Sequence, residues 1–141
     1  MNNYIHALEL DVRDYECDLQ GIVNNAVYQN YLEHARVSFL RHIKFDYAAY
    51  AKQGILLVAT RIEMDFKAPL QPAEKFFVGT NLERVSRLRF AFVQDIVRLP
   101  DQVVCVSARV TGAAISASGR PMLPVELESA LDAYARPAPT A

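Results

Sequence analysis

A single long amphipathic helix pattern, followed by strand-like segments, most constrains how this chain folds. Four apolar residues recur at i, i+4, i+7 and i+11, namely Tyr28, Leu32, Ala35 and Phe39. This spacing places apolar side chains on one face of an α-helix. Asn24 or Asn25 is suited to begin the helix as its N-cap, and the pattern continues to about Ile43. At about 1.5 Å per residue, such a helix is roughly as long as a five-stranded sheet is wide.

Alternation of apolar and polar residues predicts five strands around this helix. They cover residues 6–13, 60–68, 76–85, 88–99 and 102–115. Shorter helices are predicted over residues 45–53 and, after Pro124, over residues 125–134. The order of these elements predicts an α+β fold in which a five-stranded, mostly antiparallel sheet wraps around one long helix.

The apolar surface of the strands exceeds what one helix covers. Residues 88–99 are apolar on both sides for much of their length, as in a central or interface strand. We therefore expect the surplus to be buried between subunits of a homodimer or homotetramer.

Length and charge narrow the class of protein. The 141 residues fit one domain, predicted over residues 1–135, and the proline-containing tail over residues 136–141 is predicted to be disordered. With 15 Lys and Arg against 16 Asp and Glu, the net charge of −1 argues against a nucleic-acid partner. No apolar stretch approaches the roughly 20 residues of a membrane span, and the first residues do not resemble a secretory signal. These features predict a cytoplasmic protein without a membrane partner.

Several kinds of catalytic site have no support in the sequence. There is no G-x-S-x-G motif, the five glycines form no phosphate-binding loop, and the three histidines include no i, i+4 pair. Neither a metal nor another cofactor is predicted. Cys17 is interpreted as a small turn residue rather than a nucleophile, since no histidine accompanies it in sequence.

The loop that precedes the long helix carries the most informative residues. It contains Asp18 and Gly21, and glycine lets a backbone bend closely around a ligand. Unpaired amides at a helix start carry partial positive charge and can polarise a carbonyl group. A carboxylate facing such a carbonyl suits acyl-transfer hydrolysis by direct attack or by activation of water. The alternative is that Asp18 caps a turn or the helix.

This loop resembles the signature of a known family. The segment Asp18-Leu19-Gln20-Gly21-Ile22-Val23-Asn24-Asn25-Ala26-Val27-Tyr28, continued by Tyr31, Glu33, Ala35 and Arg36, resembles that of hotdog-fold acyl-CoA thioesterases of the 4-hydroxybenzoyl-CoA thioesterase type. The variant GIVNNAVY is most similar to a bacterial acyl-CoA thioesterase branch and to plant acyl-ACP thioesterases. Segments 67–69, 92–94 and 119–124 extend the resemblance over nearly the whole chain.

The resemblance implies a hotdog fold and particular site residues. Asp18 matches the catalytic aspartate of the family, a nucleophile or general base, and the amides of Ala26 and Val27 match its carbonyl-binding groups. Many bacterial members have Tyr-His where this chain has Asn24-Asn25, which excludes a mechanism that needs a histidine at position 25. Asn25 then either hydrogen-bonds the thioester carbonyl or water, or only caps the helix.

Further residues have two readings each. Glu33 is a reserve candidate for the base, because some hotdog enzymes use a helix glutamate, or it forms an ion pair with Arg36. The resemblance assigns Arg84, Arg87 and Arg89 to the phosphates of coenzyme A, for which planar guanidinium groups are well suited. Exposed arginines near a turn are also ordinary solubilising residues.

Taken with the resemblance, these residues predict an acyl-CoA thioesterase that releases a free acid and CoA without a cofactor. Three alternatives remain: an acyl-ACP thioesterase, a non-catalytic acyl-CoA-binding hotdog module, and a hotdog dehydratase. The dehydratase is disfavoured because no histidine lies in the loop.

Overall fold

The computed structural model describes residues 3–137 and contains one long helix against one sheet. The strands are β1 (His6–Asp11), β2 (Leu56–Phe66), β3 (Lys75–Arg84), β4 (Arg89–Leu99), β5 (Val104–Ile115), β6 (Pro121–Met122) and β7 (Arg136–Pro137). The helices are α1 (Asn25–His42), α2 (Tyr47–Lys52) and α3 (Val125–Tyr134), and a single 3-10 turn spans Asp14–Glu16.

The five long strands form the sheet in the order β1-β3-β4-β5-β2, and every neighbouring pair among them is antiparallel. The two-residue strands β6 and β7 add to β5 and β3, and only β7 runs parallel to its neighbour. Because β1 and β2 lie at opposite edges, α1 connects the two edges of the sheet. The predicted α+β hotdog architecture is confirmed.

The core lies between α1 and one face of the sheet. The four residues of the predicted helix stripe are all buried, with exposures of 3% or less, namely Tyr28, Leu32, Ala35 and Phe39. A first core cluster surrounds the N-terminal half of α1 and includes Phe76, Ile96 and Val106. A second surrounds its C-terminal half and includes Phe90 together with Leu127 of α3.

Strand β2 begins four residues before the predicted position 60. Its register against β5 shifts between Ala59 and Arg61, where an extra residue forms an irregularity of the β-bulge type. This extra residue breaks the period-two alternation, so the segment before it does not continue the clean pattern of residues 60–68. Sequence alternation therefore predicted only the part of β2 after the bulge.

The exposed apolar surface does not lie on β4, the strand for which the sequence predicted it. Strand β4 is largely buried within the chain because it lies between β3 and β5, and the hydroxyl of Tyr4 donates a hydrogen bond to Asp95 of this strand (2.7 Å). The exposed apolar side chains instead lie on the edge strand β2, namely Leu56, Val58, Ile62 and Phe66.

The end of the described chain differs from the predicted tail. Residues Arg136–Pro137 form β7, which pairs with Glu83 and Arg84 of β3, whereas the prediction placed them in a disordered segment. The pairing of a strand edge with a following segment is a long-range contact that composition does not reveal. The rest of the predicted tail, residues 138–141, lies outside the described residues. Within the described part of the chain, no helix is both long and apolar enough to cross a membrane.

Candidate active site

The loop between β1 and α1 closes on itself around Asp18. Cys17 and Val23 form an isolated antiparallel bridge, and the N–H of Asp18 donates to the carbonyl of Ile22 (2.9 Å). The N–H of Gly21 donates back to the carbonyl of Asp18 (3.0 Å), and Gly21 adopts a φ of +77°. Glycine adopts this left-handed conformation without steric cost, so Gly21 permits the tight turn.

The base of this loop is fixed to the core. The N–H of Val23 donates to the carbonyl of Leu70 (2.9 Å), and both side chains are buried. The carboxylate of Glu16 accepts hydrogen bonds from the hydroxyl of Tyr31 and the N–H of Arg13, each at 2.8 Å. Burial and the bond to Glu16 raise the pKa of Tyr31, so its hydroxyl remains a donor. Sequence reasoning missed this contact, which joins the loop to α1.

Asp18 itself is exposed and uses one of its two carboxylate oxygens within the loop. Its Oδ1 accepts a hydrogen bond from the N–H of Gln20 (2.8 Å), the geometry of an Asx turn. Its Oδ2 accepts no hydrogen bond from residues 3–137. Both readings of Asp18 are therefore compatible: one oxygen shapes the turn, and the other is available to a ligand.

Two adjacent asparagines at the start of α1, Asn24 and Asn25, have different roles. Asn24 is the N-cap: its side-chain oxygen accepts from the N–H of Ala26 (2.9 Å), and its carbonyl accepts from the N–H of Val27 (2.9 Å). The two amides that the resemblance assigned to carbonyl binding are thus already engaged. Neither the backbone N–H nor the side chain of Asn25 hydrogen-bonds to another described residue.

The two asparagines offer a matched test of this assignment. Asn24→Ala removes the cap and should lower the free energy of unfolding by about 1 kcal/mol. Asn25→Ala should leave it within about 0.5 kcal/mol of the parent, since the exposed side chain supports nothing in the fold. Urea denaturation of both variants measures the difference. Equal losses from the two substitutions would contradict the assignment of the cap.

Cys17 is not activated as a nucleophile. Desolvation raises the pKa of its thiol, and the nearby carboxylates of Asp14, Asp18 and Glu16 raise it further. A nucleophilic cysteine needs the opposite environment, in which positive charge favours the thiolate. The interpretation of Cys17 as a turn residue fits this environment.

Glu33 and Arg36 do not form the ion pair expected from their spacing. Among the described residues, Arg36 instead donates from Nη1 to Oε1 of Gln94 in β4 (3.1 Å), while Glu33 is exposed. Burial lowers the pKa of the Arg36 guanidinium, and the nearby Glu33 charge opposes this shift. Gln94 was missed as a site residue, although a polar residue on the apolar face of Phe90, Phe92 and Ile96 was a visible signal.

The three arginines lie at the opposite end of α1 from Asp18. They flank the β3–β4 turn, next to Phe90 and the second core cluster, whereas the loop of Asp18 lies beside the first. The 18 residues of α1 separate these ends by about 25 Å. Arg84 pairs with Asp132 (3.1 Å), while the exposed Arg87 and Arg89 have no side-chain partner within the described range. One chain therefore has Asp18 on the loop that enters the N-terminal end of α1, where Asn25, Ala26 and Val27 lie, and the three arginines at the opposite end.

No three His, Cys, Asp or Glu side chains within residues 3–137 converge as metal ligands do.

The model of the thioesterase-like superfamily matches residues 12–138. The chain belongs to this superfamily. The match covers the Asp18 loop, α1 and every strand of the sheet except β1, so the resemblance drawn from the loop motif is confirmed at the level of the superfamily.

Relatives and solved structures agree with this family. The chain is 37% identical, over 116 residues, to the chloroplastic acyl-acyl carrier protein thioesterase ATL2 of Arabidopsis thaliana; the match covers 82% of this chain and 62% of that protein. A hypothetical protein from Aquifex aeolicus matches with a TM-score of 0.80 and 29% identity, covering 89% of this chain and 98% of the other. A 1,4-dihydroxy-2-naphthoyl-CoA thioesterase from Synechocystis shares the fold, with a TM-score of 0.84 at 19% identity over 89% and 94% of the two chains.

Proposed function

We propose that this thioesterase-like chain hydrolyses acyl thioesters at the start of α1, with Asp18 as nucleophile or general base. The observation that supports this most is the free Oδ2 of Asp18 on a loop whose base is fixed to the core and which leads directly into α1, where the N–H of Asn25 is unused. Fixed groups of this kind need little reorganisation during the reaction. The family membership supports the same reaction class.

In this proposal the thioester carbonyl lies at the helix start and its oxygen accepts a hydrogen bond from the N–H of Asn25. Ala26 and Val27 add the field of the helix terminus, because their own N–H groups are engaged by Asn24. Asp18 takes a proton from water as the water oxygen bonds to the acyl carbon. The C–S bond then breaks, and the departing thiolate takes up the proton from Asp18, which restores the carboxylate. In the alternative form, the carboxylate of Asp18 attacks the acyl carbon, the C–S bond breaks with release of the thiolate, and water then hydrolyses the resulting anhydride to the free acid and the Asp18 carboxylate.

The carrier of the acyl group is coenzyme A or an acyl carrier protein. The named Arabidopsis relative is an acyl-ACP thioesterase, and the present chain spans 62% of its length. Arg87 and Arg89 have free guanidinium groups suited to phosphate, but they lie at the far end of α1 from Asp18 within one chain. We therefore expect them to contact a substrate that is bound at the active site of a neighbouring subunit.

The edge strand β2 supports assembly into a homodimer, from which a homotetramer can form. Its four exposed apolar side chains follow one another along an edge that no described strand pairs with, and Leu19 is fully exposed beside Asp18. Exposed apolar edges of this kind associate unless something covers them. A second copy that covers β2 would also bring a further apolar surface close to the loop.

Oligomeric state tests the role of β2. The parent chain should sediment as a dimer or larger, and Ile62→Lys should shift it towards the monomer, because a charge on the covered edge is costly to bury. Val125→Lys makes the same change at an exposed position on α3 (68% exposed) and should leave the oligomer intact. A parent chain that is monomeric at micromolar concentration would refute the proposed interface, as would equal shifts for both variants.

The reaction itself is tested by release of free thiol from a panel of acyl thioesters. The panel contains straight-chain and aromatic acyl groups, including 4-hydroxybenzoyl, each carried by CoA and by an acyl carrier protein. Turnover of any member supports the proposal, and the preferred carrier distinguishes its two forms. Tight binding without hydrolysis over hours would refute it in favour of a non-catalytic module, and an enoyl product from hydroxyacyl thioesters would favour a dehydratase.

A further inference from the structure

A cleft runs along α1 beside the edge strand β2, away from the loop of Asp18. Two adjacent cavities form it, of about 290 and 170 Å³, and they share Glu33, Arg36 and Ala59 as lining residues. The helix contributes Gln29, Glu33, Arg36 and Leu40, whose spacing places them on one side of α1. Asn25 precedes Gln29 by four residues, so the same side of the helix leads from the proposed reaction site into the cleft.

Apolar residues outnumber polar ones along the Phe90 end of this α1–β2 cleft, although polar groups make up about as much of its exposed surface. Its lining includes Leu40, Leu57, Phe90, Phe92 and Val110. Such a surface suits the hydrocarbon part of an acyl group. Three polar groups interrupt it: the Glu33 carboxylate, the Arg36 guanidinium and the Tyr47 hydroxyl. A cleft that only had to hold hydrocarbon would not need them.

Arg36 is held in this cleft by a fixed partner in the core. Gln94 has no exposed surface; its Nε2 donates to the carbonyl of Leu32 and to Oγ1 of Thr80, both at 3.1 Å. These bonds determine the orientation of the Gln94 amide, whose Oε1 accepts from Nη1 of Arg36. The guanidinium is therefore positioned by the sheet and not by a surface ion pair.

The remaining N–H groups of Arg36 are available in the cleft. No other hydrogen bond joins them to the described residues, and they are not sealed in the interior. Within residues 3–137 the only buried side-chain nitrogen or oxygen without a partner is Nε of Arg109. The free donors of Arg36 thus face the space that a ligand would occupy.

The charges in the cleft favour a neutral oxygen group. Arg36 offers donors only, and a hydrocarbon placed against them would leave them desolvated and unpaired at a free-energy cost. A carboxylate would pair with Arg36 but would meet the negative charge of Glu33. A hydroxyl group satisfies both residues, since it accepts from Arg36 and donates to Glu33.

We propose that Arg36, positioned by Gln94, and Glu33 form a specificity site for acyl groups that carry a hydroxyl far from the thioester. The proposal rests on the proposed function for the position of the thioester. Arg36 follows Asn25 by eleven residues of helix, so the hydroxyl lies about 16 Å from the helix start. Long, distally hydroxylated acyl chains reach the site and short ones do not.

Matched pairs of substrates test this directly. Straight-chain acyl-CoAs of increasing length are compared with their ω-hydroxy counterparts by kcat/KM. The hydroxy member should be favoured by roughly tenfold to a hundredfold once the chain is long enough to reach Arg36, in line with hydrogen bonds to charged groups. Short pairs should show no preference. Equal kcat/KM for every pair would overturn the proposal.

Variants identify the residues that produce the preference. Arg36→Met should abolish it, and Glu33→Gln, which changes an exposed side chain and should not disturb folding, should weaken it even if Arg36→Met fails to fold. Arg61→Met is the matched control: Arg61 lies on β2 but does not line the cleft, and it should keep the parental preference. A preference unchanged in Glu33→Gln and in folded Arg36→Met would refute the assignment.

Binding separates this proposal from the proposed function. The same pairs are prepared as non-hydrolysable thioether analogues, and their Kd values are measured by calorimetry. If no thioester is hydrolysed but long hydroxylated analogues still bind more tightly, the specificity site stands and the hydrolytic function fails. If hydrolysis occurs but neither Kd nor kcat/KM distinguishes the members of a pair, only the specificity site fails.

Discussion

Asp18→Asn should reduce turnover of acyl thioesters by about a hundredfold or more, the scale associated with loss of a general base. The substitution is well suited to isolate chemistry from folding. An asparagine oxygen accepts the N–H of Gln20 as Oδ1 of Asp18 does, so the Asx turn at the centre of the loop is retained. The variant loses the negative charge and the basic Oδ2 and little else. Thiol release under saturating and limiting substrate measures kcat and kcat/KM.

The matched control for this variant lies in the same loop. Asp14→Asn removes an exposed carboxylate four residues earlier, at the start of the 3-10 turn, and should leave turnover within about twofold of the parent. If Asp18→Asn retains parental turnover, Asp18 is not the base or nucleophile. Glu33, exposed on the same side of α1 as Asn25, then becomes the carboxylate to replace next.

Phe39→Ala should lower the free energy of unfolding by about 3–5 kcal/mol, the usual cost of truncating a fully buried phenylalanine. Phe39 has no exposed surface, and its ring contacts those of Phe92 (5.8 Å between centroids) and His6 (6.2 Å). Its removal opens the second core cluster, where α1 meets β4. Urea denaturation at fixed protein concentration measures the change.

A truncation at the surface provides the comparison. Val125→Ala on α3 removes an apolar side chain that is 68% exposed and should change the stability by no more than about 0.5 kcal/mol. A small effect of Phe39→Ala would mean that α1 does not depend on this contact. The described packing of the helix against the sheet would then be wrong.

Local patterns were sufficient for much of the fold. The helix stripe predicted α1 and its buried face because 3.6-residue periodicity is a property of one segment and needs no knowledge of its neighbours. The same holds for β3 and β5, which period-two alternation predicted, and for β4, which its apolar character on both sides marked as a central or interface strand. Local patterns did not predict the start of β2, where the bulge beside Ala59 breaks the period-two alternation. They also did not predict β7, which exists only through its pairing with β3.

The candidate site was predicted in part for the same reason. Asp18, Gly21 and the helix start are neighbours in sequence, so the motif places them together before any tertiary contact forms. The sequence did not distinguish Asn24 from Asn25 as the cap. The structure identifies Asn24, which has an extended backbone and accepts a hydrogen bond from the N–H of Ala26. The pairing of Arg36 with Gln94 joins residues 58 positions apart, which no local pattern reveals.

The sequence by itself determined the order of the helices and strands, the buried face of α1 and the loop motif that indicates a thioesterase-like fold. Only the tertiary structure decided three further points: that β2 lies at an open edge, that Arg36 enters a cleft beside it, and that the three arginines stand at the opposite end of α1 from Asp18. The physical reason is the range of the interactions. Periodicity and capping act within a few residues, whereas strand order and side-chain pairing across the core depend on contacts between segments that are distant in the chain.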